Sequence, residues 1–142
     1  MRYLKQGHTV YYTRYHIVIC TRYRRKILRW GSAEYAKRCV LGVMKKYPEI
    51  IIEKVNTDLD HMHLLASIPP KMAVSWVVNL IKSNTARLMR KRYKFLDKLY
   101  VLKAGIWSTG YFVSTVGADE ETVKRYIEHQ GREDRGQAEL AF

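Results

Sequence analysis

Residues 50–68, Ile50-Ile51-Ile52-Glu53-Lys54-Val55-Asn56-Thr57-Asp58-Leu59-Asp60-His61-Met62-His63-Leu64-Leu65-Ala66-Ser67-Ile68, read as two strands, Ile50 to Val55 and His61 to Ile68, joined by the polar turn Asn56-Thr57-Asp58. Side chains alternate across an extended strand, so Met62, Leu64, Ala66 and Ile68 fill one face while His61 and His63 share the other. The apolar face needs a core to cover it. The opposite face presents two imidazoles roughly 7 Å apart at their backbones.

Working outward, Val10 to Cys20 is rich in Tyr, Thr, Ile and Val and reads as a strand, ending in the basic run Arg22-Tyr23-Arg24-Arg25-Lys26. After Gly31, Ser32 can cap a helix whose apolar positions Ala36, Val40, Val43, Met44 and Tyr47 recur at three- and four-residue steps, until Pro48 stops it. Beyond Pro69-Pro70 a second helix is marked by Val74, Val77, Val78, Ile81, Thr85 and Leu88, with cations on its other faces. Tyr93 to Gly105 lacks a period and reads as a loop with a short helical turn. Ile106 to Val116 reads as a strand. Asp119 can cap a last helix, where Glu120 and Glu121 suit the positive end of the dipole and Val123 and Ile127 supply a docking stripe. The order strand, helix, strand, strand, helix, strand, helix predicts an α+β fold, a ferredoxin-like or RRM-like antiparallel sheet with helices packed on it plus a C-terminal helix that bears Tyr126. Such a sheet leaves one face free for ligands.

With 142 residues and no Pro/Gly/Ser-rich linker, the chain is expected to form one domain over 1–142, with 131–142 a loose polar tail. Lys and Arg number 26 against 13 acidic residues, and the net charge of +13 points to a polyanionic partner. The 11 tyrosines and 3 tryptophans interleave with these cations, which suits base stacking on single strands. Only Cys20 and Cys39 occur, without a CxxC, so neither a disulfide framework nor a thiolate zinc site is supported. No signal-like start and no run near the roughly 20 apolar residues of a membrane span are present, and a cytoplasmic location is expected.

A pair of histidines two apart is a weak signal by itself. An amidohydrolase barrel needs about 200 residues or more, and a histidine-triad hydrolase would want a third His where Leu65 stands. On a helix, Tyr126 and Gln130 are four apart and share a face, so a phenol and an amide travel together. Taken singly, each suits an ordinary structural role. Asp60 can orient a ligand from behind or simply close the turn.

The combination is more specific. Tyr15-His16, the run Arg22 to Lys26, Asp60-His61-Met62-His63-Leu64-Leu65, Trp107-Ser108, Gly110-Tyr111-Phe112 and Tyr126-Ile127-Glu128-His129-Gln130 together resemble the single-tyrosine HUH transposases of insertion sequences that move as single-stranded DNA. The likeness runs over nearly the whole chain. It implies that His61, His63 and Gln130 hold a divalent metal, and that Tyr126 is the nucleophile that forms a 5′-phosphotyrosine and frees a 3′-OH. Two imidazoles and an amide oxygen suit Mg²⁺ or Mn²⁺, with Mn²⁺ the better match to nitrogen. The resemblance further implies recognition of single-stranded DNA with hairpins at element ends, for which Arg22, Arg24, Arg25, Lys82, Arg87 and Arg90 are the candidate contacts. It also implies a homodimer with composite active sites, Gly117 serving as a hinge for the tyrosine helix. The alternative is a non-catalytic or domesticated hairpin-binding protein on the same sheet.

Overall fold

The histidine-bearing strand β5 (His61–Ser67) lies inside a four-stranded sheet ordered β4 (Ile51–Thr57), β5, β3 (Arg14–Cys20), β6 (Phe112–Val116). The computed structural model describes residues 3–101 and 105–117. The chain divides into two units, residues 13–115 and residues 1–12 with 116–142.

In the larger unit, β3 leads through a one-turn 3-10 segment (Arg22–Arg24) to helix α1 (Gly31–Leu41), the short α2 (Val43–Lys46) and the antiparallel pair β4–β5. Helix α3 (Val74–Arg92), the short α4 (Phe95–Leu99) and β6 follow. Non-local pairing places β5 antiparallel to β3, with Cys20 opposite His61 and Val18 opposite His63. This is the expected ferredoxin-like plan, α+β with the two middle strands distant in sequence.

The alternation read from the sequence decides which face is covered. Ile17 and Ile19 of β3, Met62, Leu64 and Ala66 of β5, and Ile52 of β4 join Ala36 and Val40 of α1 and Val77, Val78 and Ile81 of α3 in one buried cluster. Each fully buried aliphatic side chain here is worth about 1.5–3 kcal/mol over its exposed state. The segment after α3 closes the core with Leu96, Tyr100, Ile106 and Trp107. Their polar tips are satisfied: Trp107 Nε1 donates to Thr85 Oγ1 at 2.8 Å, and Tyr100 Oη donates to the Arg22 carbonyl at 3.1 Å.

Several boundaries differ from the sequence reading, each for a local reason. The β4–β5 turn is Asp58 to Asp60, because Asn56 and Thr57 still pair with His63 and Met62. The strand expected over Ile106 to Val116 begins only at Phe112; Trp107 makes a single bridge to Thr21, and Gly110, at φ +85°, bends the chain between them. The first long helix breaks at Gly42. Ser32 is not its side-chain cap; its buried hydroxyl accepts from Arg29 N at 2.9 Å and donates to Ile27 O at 2.7 Å, pinning the turn ahead of the helix. On α3 the buried stripe ends on Met89 rather than Leu88. The loop with a short helical turn after Tyr93 is present as α4.

In the smaller unit, β1 (Leu4–Gln6) pairs antiparallel with β2 (Thr9–Tyr11). Gly7 at φ +59° opens the two-residue connection, as the first position of a type II′ turn requires. The single strand expected over Val10 to Cys20 is therefore two strands, β2 and β3. The helix expected after Asp119 and the tail 131–142 lie outside the described residues.

Candidate functional site

Three bonds at the end of β3 build the ground on which the site stands. Thr21 N donates to Asp60 O at 2.9 Å, Arg22 N to Ile106 O at 2.7 Å, and Ser108 N to Cys20 O at 2.8 Å. Buried Thr21 adds its hydroxyl, donating to Arg25 O at 2.7 Å. The basic turn, the start of β5 and the 106–108 segment are thereby held together. Tyr23 and Arg24 both take left-handed backbone angles, φ 62° and 53°, which fold the chain back so that Arg24 Nε donates to Asp60 Oδ2 at 3.2 Å.

Asp60 in turn grips the first histidine. His61 Nδ1 lies 2.8 Å from Asp60 Oδ1. The bond from His61, then that from Arg24, holds the Asp60 carboxyl below its usual pKa. An ionised carboxylate only accepts, so Nδ1 carries a proton and Nε2 is the nitrogen left to ligate. That is the state in which an imidazole ligates a metal, with a carboxylate behind it fixing tautomer and orientation.

His63 stands exposed two residues on, its ring centre 4.9 Å from that of His61 and turned 71° to it. Imidazoles bound to one ion through nitrogens about 2.1 Å away hold their ring centres on the order of 5 Å apart. The pair therefore fits a shared divalent cation. Among the described residues no cluster of three or more His, Cys, Asp or Glu suits a metal, so a third protein donor would be of another type or lie elsewhere in the chain. Gln130 and Tyr126 fall outside the described residues.

Beside the histidines, Val18, Cys20, Arg24 and the segment Ser108 to Phe112 line an open groove of about 450 Å³. Phe112 is 61% exposed there. A basic, aromatic groove next to a metal-ready pair can take a nucleotide chain, with phosphate against Arg24 and a base against the ring. The sequence placed Tyr111 and Phe112 in a strand and within the family resemblance, without a role in a groove.

The six candidate cations separate into two kinds. Arg22, Arg24 and Arg25 lie in the turn after β3, where Arg24 bonds Asp60. Arg22 Nε donates to Gly105 O at 3.0 Å, and the Arg25 guanidinium lies 5.1 Å from the ring centres of both Tyr23 and Tyr100, its Nη1 buried without a hydrogen-bond partner among the described residues. Lys82 is committed elsewhere: Nζ donates to Ser108 O at 2.7 Å and Gly110 O at 3.0 Å, and burial, then nearby Arg22, pulls its pKa below the usual lysine value. Arg90 holds α4 through Asp97 Oδ1 at 3.0 Å and Tyr100 O at 3.2 Å. Among the described residues, exposed Arg87 bonds its helix neighbour Asn84, at 2.9 Å.

The RRM-like sheet, with His-Met-His on the face opposite its helices and a basic turn at its edge, is the fold of a transposase. The chain belongs to the family of IS200-like transposases, which matches residues 9–130. The transposase for insertion sequence element IS200 from Salmonella typhimurium is 31% identical over 136 residues, covering 96% of this chain and 88% of the relative. The ISDra2 transposase TnpA from Deinococcus radiodurans is 31% identical over 124 residues, covering 85% of this chain and 86% of its own length. Among solved structures, a putative transposase from Deinococcus radiodurans superposes with a TM-score of 0.69 at 24% identity, over 89% of this chain and 98% of that one. A REP-associated tyrosine transposase bound to a REP hairpin superposes at 0.53 and 14% identity, over 95% and 76%. At those identities the likeness is one of fold. No helix among the described residues is long and apolar enough to cross a membrane.

Proposed function

We propose that this transposase cleaves and rejoins single-stranded DNA at insertion-sequence ends, after recognising a hairpin, through a 5′-phosphotyrosine on Tyr126. The observation that carries the reading is the Asp60-oriented His61 next to His63 on the open face of the sheet. His61 and His63 would hold Mg²⁺ or Mn²⁺ together with the side-chain oxygen of Gln130. When bound, the ion supplies Lewis-acid polarisation of the scissile phosphate and neutralises charge on the leaving oxygen.

The remaining chemistry belongs to the chain. A phenol with a pKa near 10 is a weak nucleophile at neutral pH and must lose its proton as it attacks. The Tyr126 oxygen forms a bond to phosphorus, the bond from phosphorus to the 3′ oxygen breaks, and that oxygen leaves as a 3′-OH. One phosphodiester replaces another, so a 3′-OH from a second strand can reverse the step without ATP. Asp60 keeps the His61 ring in its ligating tautomer, and Arg24, which shares that carboxylate, adds positive charge where the DNA backbone must pass. The REP hairpin held by the fold neighbour supports a hairpin as the recognised form.

A labelled single-stranded hairpin carrying an element end, incubated with Mg²⁺ or Mn²⁺, tests the reading. We expect a covalent protein–DNA adduct that Tyr126→Phe abolishes, and cleavage lost in His61→Ala and His63→Ala with hairpin affinity retained. Tight binding by the wild-type protein with no adduct in either metal would instead support the non-catalytic hairpin binder.

A further inference from the structure

A second groove, of about 420 Å³, lies between the end of β4 with its following turn, Thr57 to Leu59, and the segment that leads into α1. Leu28 and Ala33 form its buried floor, Leu59 stands at one wall, and Lys26 and Arg29 supply its basic rim. Trp30 lines it with an indole that is 90% exposed. Beside that apolar floor the indole offers a flat face on which another ring can stack.

The backbone holds that ring outward by design of the turn. Ser32 N donates to Arg29 O at 3.0 Å, which makes Arg29 to Ser32 a tight turn with Trp30 at its first central position, φ 44° and ψ −113°. Those angles suit glycine, yet the glycine of this chain is the next residue, Gly31. Strain of this kind costs on the order of 1–3 kcal/mol and persists where the surroundings fix it. Ser32, through its bonds to Arg29 and Ile27, is what fixes it here.

We propose that Trp30 is a stacking platform for one unpaired base of the substrate DNA, with Lys26 and Arg29 on the flanking phosphates. The inference rests on the strand-transfer reading and adds to it a nucleotide subsite outside the histidine face. Charge favours a nucleotide over a purely apolar occupant, since neither Lys26 nor Arg29 has an ion-pair partner among the described residues. Asp58, which also lines the groove, sets the orientation: its carboxylate repels phosphate from the interior and can accept from an exocyclic base amine. The base therefore enters and the backbone stays on the basic rim. Location supports the same occupant. Leu28 N donates to Leu59 O at 3.0 Å, tying the groove to the turn whose next residue, Asp60, orients His61.

Three oligonucleotides test it: a fully paired blunt hairpin, the same hairpin with one unpaired base in its stem, and the same hairpin with a single-stranded flank. Trp30→Ala is expected to weaken one or both of the latter two by about ten-fold, the scale of one base stack, and to leave the blunt hairpin unchanged. Which of the two responds identifies the base as extruded or flanking. Trp30→Phe should recover most of the affinity, and Lys26→Ala and Arg29→Ala should each flatten the log–log salt slope by about 0.7. Trp30→Gly, which suits the backbone and so folds, should bind as weakly as the alanine variant. Equal affinity of wild type and Trp30→Gly for all three oligonucleotides overturns the platform, as does equal loss on all three. Adduct formation at saturating DNA is scored separately: a wild type that forms none defeats the strand-transfer reading, whereas an unchanged affinity with normal adduct defeats the platform alone.

Discussion

At the scale of single residues, Asp60 does more than close a turn. Its two carboxylate oxygens bind His61 and Arg24, so one side chain couples the metal-ready ring to the basic turn. Asp60→Ala should therefore weaken Mn²⁺ binding by about 10–100-fold, the usual effect of removing a carboxylate behind a ligating histidine. Calorimetric titration of the DNA-free protein with Mn²⁺ reads this directly; an unchanged affinity would show that His61 orients itself. The same carboxylate sets a pH dependence. Its folded pKa lies below the ordinary value of 3.8, so its contribution to stability is complete above that value and is lost as pH falls through the lower folded one. Asp60→Asn should lower stability by a constant amount across the neutral range and flatten the acid limb, where the wild type loses that contribution.

At the scale of elements, the cations of α3 look alike in sequence and differ in the fold. Lys82 spends its ammonium on the carbonyls of Ser108 and Gly110, whereas Arg87, among the described residues, bonds Asn84. In Lys82→Met the relief of a half-buried charge competes with the loss of both carbonyl partners, and the carbonyls dominate. We expect a loss of about 1–2 kcal/mol in denaturant unfolding, with loosened amide protection over 106–111. Arg87→Ala should leave stability within about 0.5 kcal/mol; if it contacts phosphate, the salt slope of DNA binding falls by about 0.7. A salt slope changed by neither variant would remove Lys82 and Arg87 from the DNA interface. The sequence could not separate these two residues, because the partner of Lys82 is a backbone 26 residues away. The same logic explains what was legible. His61 to Ile68 was readable because a period of two is local, and α3 because its stripe is; Met89 displaced Leu88 only through packing. β1 escaped because three residues carry no period, although Gly7-His8 between short β-formers is a hairpin signal. The break at Gly110 depends on Lys82 reaching across. In the site, the histidine pair was legible from alternation, whereas the role of Asp60 waited on the turn geometry that brings its carboxylate to Nδ1.

At the scale of the whole molecule, the proposed chemistry draws on residues far apart in the chain, His61 and His63 in its middle and Tyr126 and Gln130 near its end. Such a site can be completed within one chain or between two, and a symmetric dimer would make two equivalent sites in either case. We expect composite sites, in which the tyrosine helix of one copy serves the histidines of the other. Mixing two inactive proteins, His61→Ala and Tyr126→Phe, decides the matter. In the composite arrangement a mixed dimer has one site with both defects and one with neither, so random subunit exchange restores about a quarter of the wild-type sites. Completion within one chain leaves every site with a defect, and the mixture stays inactive at any ratio. The adduct assay on the hairpin substrate measures the outcome, and labelling the DNA covalently shows which partner carries it: the His61→Ala chain, which retains Tyr126, must be the one that becomes attached.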